Sequence, residues 1–209
     1  MPRVVMPEEL LILLARLLGI AGVMVLGASA VLGALLASRT AQRLRLLRGR
    51  TFRIHRLLSA FGAGLLLAHP VPVVLARETT GAGPAVVFVP FAAEKLVFNI
   101  AFGALALDVL LVVLASSLLI KRLPRKMWRR LHYGAYAVLL LGLYHGLLIP
   151  NDFGPAARYA TVDPLAFDKV LVEVSIIGVL LASAWRIAAA VHRWTAPRRE
   201  RSRTKDSAV

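Results

Sequence analysis

Arg53-Ile-His-Arg-Leu-Leu-Ser-Ala-Phe-Gly-Ala-Gly-Leu-Leu-Leu-Ala-His69 is apolar enough to lie inside a membrane, yet it has a histidine at each end. Ionisable groups inside a membrane are costly, so they mark functional sites by default. The step from His55 to His69, on an α-helix, is roughly 21 Å along the axis and about 40° short of four full turns. Both rings therefore point to nearly one face, near opposite sides of a hydrocarbon core about 30 Å thick. A histidine–metal bond is only about 2 Å long, so the two cannot share one metal ion. They are half-sites of two separate centres, and each needs a partner from another helix.

A second segment supplies partners. Met127-Trp-Arg-Arg-Leu-His132 leads into Tyr133-Gly-Ala-Tyr-Ala-Val-Leu-Leu-Leu-Gly-Leu-Tyr-His145, a histidine pair one position closer together than the first. The axial spans agree within about 1.5 Å, so two parallel helices match both levels. The rotation matches less well. On a straight helix the step from His132 to His145 leaves the second ring about 140° from the first. A kink, a π-bulge or a sideways offset must absorb this, and Gly134 and Gly142 are the places where the helix can bend.

The chain has 209 residues, of which 58% are hydrophobic, and its mean hydropathy is +0.72. Apolar segments of about 20 residues recur, which predicts an all-α, polytopic transmembrane helical bundle. The absence of cysteine excludes disulfides, thiolate metal sites, iron–sulfur clusters and the covalent c-type haem motif. A net charge of +15 would suggest nucleic acid in a soluble protein. Here the charge is concentrated at segment ends, so it reads as membrane orientation and no nucleic-acid partner is expected. The start, Met1 to Glu9, reads as an extramembrane segment rather than a cleaved signal.

Five spans are predicted: about 10–36, 52–76, 91–120, 128–149 and 168–191. Residues 1–191 are read as one membrane domain with its histidine-bearing core at 52–149, and 192–209 as a basic cytoplasmic tail. Pro70 and Pro72 kink or end the second span just after His69, and 77–90 reads as a loop. The connectors at 38–50 and 121–130 and the tail are rich in Lys and Arg, whereas 77–90 and 151–168 are poor in them. This asymmetry places the N-terminus outside and the C-terminus in the cytoplasm of a multi-pass cell-membrane protein. His55 and His132 then lie at the inner level, and His69 and His145 at the outer level.

Neutral imidazole is a good ligand for iron, copper and zinc. Two ligands per level are too few to cage a bare metal. Haem iron brings four porphyrin nitrogens and needs only two axial ligands. His55 with His132 (inner iron) and His69 with His145 (outer iron) would thus hold two b-type haems stacked across the membrane. Arg53, Arg56, Arg129 and Arg130 lie at the level of the inner haem's propionates. Arg16 is placed near an outer propionate or paired with Glu173. Asp108, in the middle of the third span, is a structural hydrogen-bonding group or a proton or quinol group. His192 and the tryptophans 128, 185 and 194 read as interfacial residues.

His55-Arg-Leu followed by His69, and Trp128-Arg-Arg-Leu-His132 followed by His145, resemble the ferric reductase-like transmembrane domain. That superfamily includes NADPH oxidases, ferric-chelate reductases and the haem subunit of the bacterial periplasmic methionine-sulfoxide reductase system. The resemblance covers about Phe52 to Ile149. It implies that His55, His69, His132 and His145 are the haem ligands, paired as above. It also implies electron flow from a cytosolic flavin or NAD(P)H donor to an outer small-molecule or protein acceptor. Members usually have six spans, where five are counted here. The oxidases and ferric reductases also carry a C-terminal FAD and NAD(P)H domain. The tail here has no glycine-rich nucleotide fingerprint, so the flavin is assigned to a separate flavoprotein, to free reduced flavin, or its role to a quinol. Two alternatives stand beside this one: a quinol-oxidising cytochrome b subunit, and a non-redox small transporter or assembly factor.

Overall fold

Glu8 and Glu9 open the first helix, where acidic side chains complement the positive end of the helix dipole. From there α1 runs unbroken over Glu8–Leu36. The computed structural model describes residues 7–36, 45–93 and 97–148, and beyond them 174, 177–181, 183–185 and 188. Among these there is helix and turn but no strand. The second helix, α2, is Arg45–Ala68. It stops where Pro70 lacks an amide and its ring would strike the carbonyl one turn back. The amide of His69 still reaches the Leu65 carbonyl at 2.9 Å, so the chain bends rather than breaks and continues as α3, Pro70–Leu75.

The connector at 77–90, expected as a loop, is more ordered than the sequence suggests. It holds a one-turn helix α4, Arg77–Thr80, and a 3₁₀ turn, Pro84–Val87. Gly81 ends α4 at φ 68°, a left-handed conformation that suits glycine. The hydroxyl of buried Thr80 bonds to the carbonyls of Val73 and Ala76 and accepts the amide of Ala82. Ala82, Val86 and Ala93 form a small core beneath this cap with Val73 and Ile100.

The third long helix, α5, is Val97–Leu118. The segment expected as one span is two pieces, α6 (Arg125–His132) and α7 (Gly134–Leu148), parted at Tyr133. At the break the Tyr136 amide bonds to the Tyr133 carbonyl, a tight step of the 3₁₀ kind. A Cβ on Gly134 would lie 3.1 Å from Val113 and 3.3 Å from Val109, so the glycine lets the break sit close against α5. A local break beside a glycine thus falls between His132 and His145, in the stretch where a bend was expected.

Three helices, Glu8–Leu36, Gly49–Leu75 and Val97–Leu118, are long and apolar enough to cross a membrane, with mean hydropathies of 2.4, 1.8 and 2.4. Large apolar side chains such as Leu17, Leu57, Phe61 and Leu118 point outward, as they do on a lipid-facing surface. The part of the expected fifth span that is described is helical, and its Val179 packs with Val23, Leu139 and Leu143.

α1 packs along α2, and α5 along α7, while α2 and α7 make no comparable contact with each other. The two pairs meet through Ala63, Leu107, Leu110 and Val138, with Leu26 and Leu66 against them. The α1–α2 seam has a regular antiparallel register. Gly33 faces His55, Ser29 faces Ser59, Gly62 faces Leu26, Gly22 faces Leu66 and Gly19 faces His69. Gly62 permits the closest approach, since its Cβ would sit 3.1 Å from the Leu26 backbone nitrogen.

Candidate functional site

All four expected histidines are brought together in the two expected pairs. The ring centres of His55 and His132 are 6.3 Å apart, with the planes at 82°. Those of His69 and His145 are 6.0 Å apart, at 83°. α2 and the α6–α7 segment therefore run in the same direction, with a slot between them. Around the second pair the slot opens into a cavity of about 230 Å³ whose walls include Arg16, Gly19, Leu66, Gly103, Leu107 and Gly142, roofed by Thr80, Ala82 and Val86.

Three of the rings are held in the same way. His55 Nδ1 donates to the Ser29 carbonyl at 2.9 Å, and His69 Nδ1 to the Ala15 carbonyl at 2.7 Å. His145 Nδ1 donates to the Asn99 carbonyl. A carbonyl can only accept, so in each ring the proton sits on Nδ1 and the lone pair is left on Nε2. Each accepting carbonyl lies one helical turn before a glycine that the ring touches: Ser29 before Gly33, Ala15 before Gly19, Asn99 before Gly103. A helical side chain covers the turn preceding its own Cα. Removing it uncovers the carbonyl of that turn, whose second lone pair can take an imidazole N–H while the first keeps its helical bond. A Cβ would meet His69 at 3.0 Å from Gly19, His55 at 3.2 Å from Gly33, and His145 at 2.9 Å from Gly103.

In the sequence Gly19 and Gly33 are two of several small residues on an apolar run, the kind that suits close helix packing, and nothing marks Gly103. Their signal was available in one respect: Gly19 and Gly33 are separated by the same number of positions as His55 and His69. Ser29 adds a further clamp beside the His55–His132 pair. Its hydroxyl, which is buried, donates to the His55 backbone carbonyl at 3.2 Å and lies 2.6 Å from Ser59 Oγ. His132 is held differently. Its ring lies nearly flat on Trp128, with centres 4.9 Å apart and planes at 18°.

The chain matches no family model, no curated protein and no solved structure. The site is therefore read from its own geometry. Among the described residues no three His, Asp or Glu side chains converge as a cage for a bare metal ion. What the fold offers is two-ligand sets, each across a gap of a size that two bonds to one atom would span. Arg53, Arg56, Arg129 and Arg130 are exposed near the His55–His132 end of α2 and α6. Arg16 lines the cavity of the other pair; Glu173 and His192 lie outside the described residues. Asp108 is half-buried and shares a lateral groove with Arg130, Val112 and Leu131.

Proposed function

We propose that the chain is a transmembrane b-type cytochrome that carries electrons across the membrane through two bis-histidine haems. The observation that carries this reading is the spacing of the two ring pairs. Two axial bonds of about 2 Å, with about 1.1 Å from each nitrogen to its ring centre, put the centres of two imidazoles on one metal about 6 Å apart. The pairs stand at 6.3 and 6.0 Å. The bound Nδ1 atoms leave Nε2 as the ligating nitrogen, the usual arrangement behind a metal-bound histidine. A slot between α2 and α7, which do not pack on one another, suits a flat macrocycle that completes the coordination with four nitrogens of its own.

When bound, each haem supplies a one-electron carrier. The residues of the chain set its terms. His55, His69 and His145 are fixed in tautomer and position by backbone carbonyls that a side-chain rotation cannot remove. The glycines bring those carbonyls within reach. Leu66, Leu107, Val138 and Val86 give the cavity an apolar lining. Held by His55 with His132 and by His69 with His145, each haem would have no free coordination position and would supply one-electron transfer rather than ligand chemistry at the metal. Five spans, with the N-terminus outside and the C-terminus in the cytoplasm, place His55 and His132 on the inner side. The resemblance to the ferric reductase-like domain supports a flow from a cytosolic flavin or NAD(P)H donor, carried by a separate flavoprotein or reduced flavin, to an outer acceptor. If that acceptor is a small molecule the chain is an oxidoreductase; if it is a protein the chain is an electron-transfer subunit.

One observation favours a second reading, a quinol-oxidising subunit. Asp108 and Arg130 line the same lateral groove, and Arg130 stands just ahead of His132 in the chain. Mixing the purified protein with reduced flavin or with quinol, and following haem reduction, separates the two donors. The primary test is the optical spectrum of detergent-purified protein. A reduced Soret band and α-band are expected, with about two haems per chain by pyridine haemochrome. A colourless protein from haem-replete cells would leave only a non-redox role.

A further inference from the structure

Trp128 sits one helical turn before His132 on α6. Its place near the end of a span suggests an interface anchor, but two features tie it to the inner site instead. The first is the flat stack of its indole on the His132 ring. The second is an unmet need. The indole Nε1 is buried and has no hydrogen-bond partner among the described residues. Buried indole N–H groups usually find an acceptor, and leaving one without is costly.

We infer that Trp128 is a positioning residue for the inner haem, its ring fixing the plane of His132 and its N–H donating to a propionate of that haem. The inference rests on the haem reading above and deepens it. The acceptor follows from chemistry. A group stacked on an axial ligand lies beside the macrocycle. Around its rim, a b-type haem carries methyl and vinyl groups, which accept nothing, and two propionate carboxylates, which accept strongly. A charged acceptor also makes the bond worth more than a neutral one. The other three ligands need no such ring, because a glycine notch and a backbone carbonyl hold each of them. Trp128 would thus join ligand orientation and propionate binding in one side chain, at the end of the protein where electrons enter.

The test uses the full chain in detergent. Trp128→Phe keeps an aromatic ring over His132 and removes only the donor; Trp128→Leu removes both. The outer haem serves as an internal control for folding, and a His69→Ala background assigns the inner haem's signal. In Trp128→Phe two haems per chain are expected, with the outer midpoint potential unchanged. The inner potential should fall, since a propionate without its donor holds more negative charge near the iron and favours the ferric state. A shift of the ferric/ferrous ratio by up to about tenfold corresponds to about 59 mV for one electron. In Trp128→Leu the inner low-spin ferric resonance should also broaden or move, as the His132 plane is freed. If the Trp128→Phe titration overlays the wild type at both haems, the inference is wrong while the haem reading stands. If the wild type itself binds no haem, both fall.

Discussion

Replacing Gly103 by alanine adds a single carbon, yet it should empty one haem site and leave the other full. The new Cβ would lie 2.9 Å from both Nδ1 and Cε1 of His145. Ordinary contacts between such atoms are about 3.5–4.0 Å, so ring or helix must give by about 0.6 Å or more. The ring cannot simply turn aside without losing its bond to the Asn99 carbonyl. The helix cannot easily back away, because α7 is locked to α5 through Val138, Leu107 and Leu110. Overpacking of this kind costs typically about 1–3 kcal/mol. At about 1.4 kcal/mol per tenfold, that is roughly 5- to 100-fold weaker retention of the outer haem. Alanine is the better helix former by about 1 kcal/mol, so helix content should not fall and the loss should be local. Pyridine haemochrome on purified Gly103→Ala should give about one haem per chain instead of two. Gly64→Ala is the control, since a Cβ there meets nothing within 4 Å; it should keep both haems. A Gly103→Ala protein with two haems and the wild-type spectrum would refute the notch as the device that seats His145.

Other outcomes follow from the same geometry. His55→Ala and His132→Ala should each remove one haem, and the double variant should lose no more than either alone; additive losses in haem content would break the pairing. The imidazole planes at 82° and 83° leave the iron's two dπ orbitals nearly equal in energy, so both ferric centres should show strongly anisotropic low-spin resonances at low temperature, and a pair of rhombic signals of small anisotropy would contradict these angles. Carbon monoxide should leave the dithionite-reduced spectrum of the wild type unchanged, because two histidines would fill both axial positions; binding to the wild type would mean that a ligand is absent. Ser29→Ala removes a hydroxyl that lies 2.9 Å from His55 Nδ1 and also touches the His55 carbonyl and Ser59, at a cost of about 1 kcal/mol in the α1–α2 seam. It should nonetheless retain both haems, since the His55 ring bonds to the Ser29 backbone; thermal denaturation and haem content together check this.

Much of the candidate site was legible as spacing. A helix rises by a fixed amount per residue, so the steps from His55 to His69 and from His132 to His145 set two levels whatever the helices do in between. Ligand count per level and the absence of cysteine narrowed the cofactor before any fold was known. The apolar runs and the placement of Lys and Arg carried the membrane reading. Rotation, in contrast, is not conserved along a chain that can break. A straight helix put His145 about 140° from His132, yet both rings meet partners on α2, and the chain between them parts at Tyr133, where Gly134 sits against Val109 and Val113. Nor does a glycine in a membrane helix announce its purpose. Gly22 and Gly62 admit a neighbouring helix, while Gly19, Gly33 and Gly103 admit an imidazole. The two uses leave the same letter in the sequence. What separates them is which residue stands opposite, and that depends on the register between helices, which is set by packing across the whole seam. The chain alone thus determined how far apart along their helices the histidines lie, because rise per residue is fixed; the tertiary structure decided which way they face and what holds them there, because that depends on packing between helices.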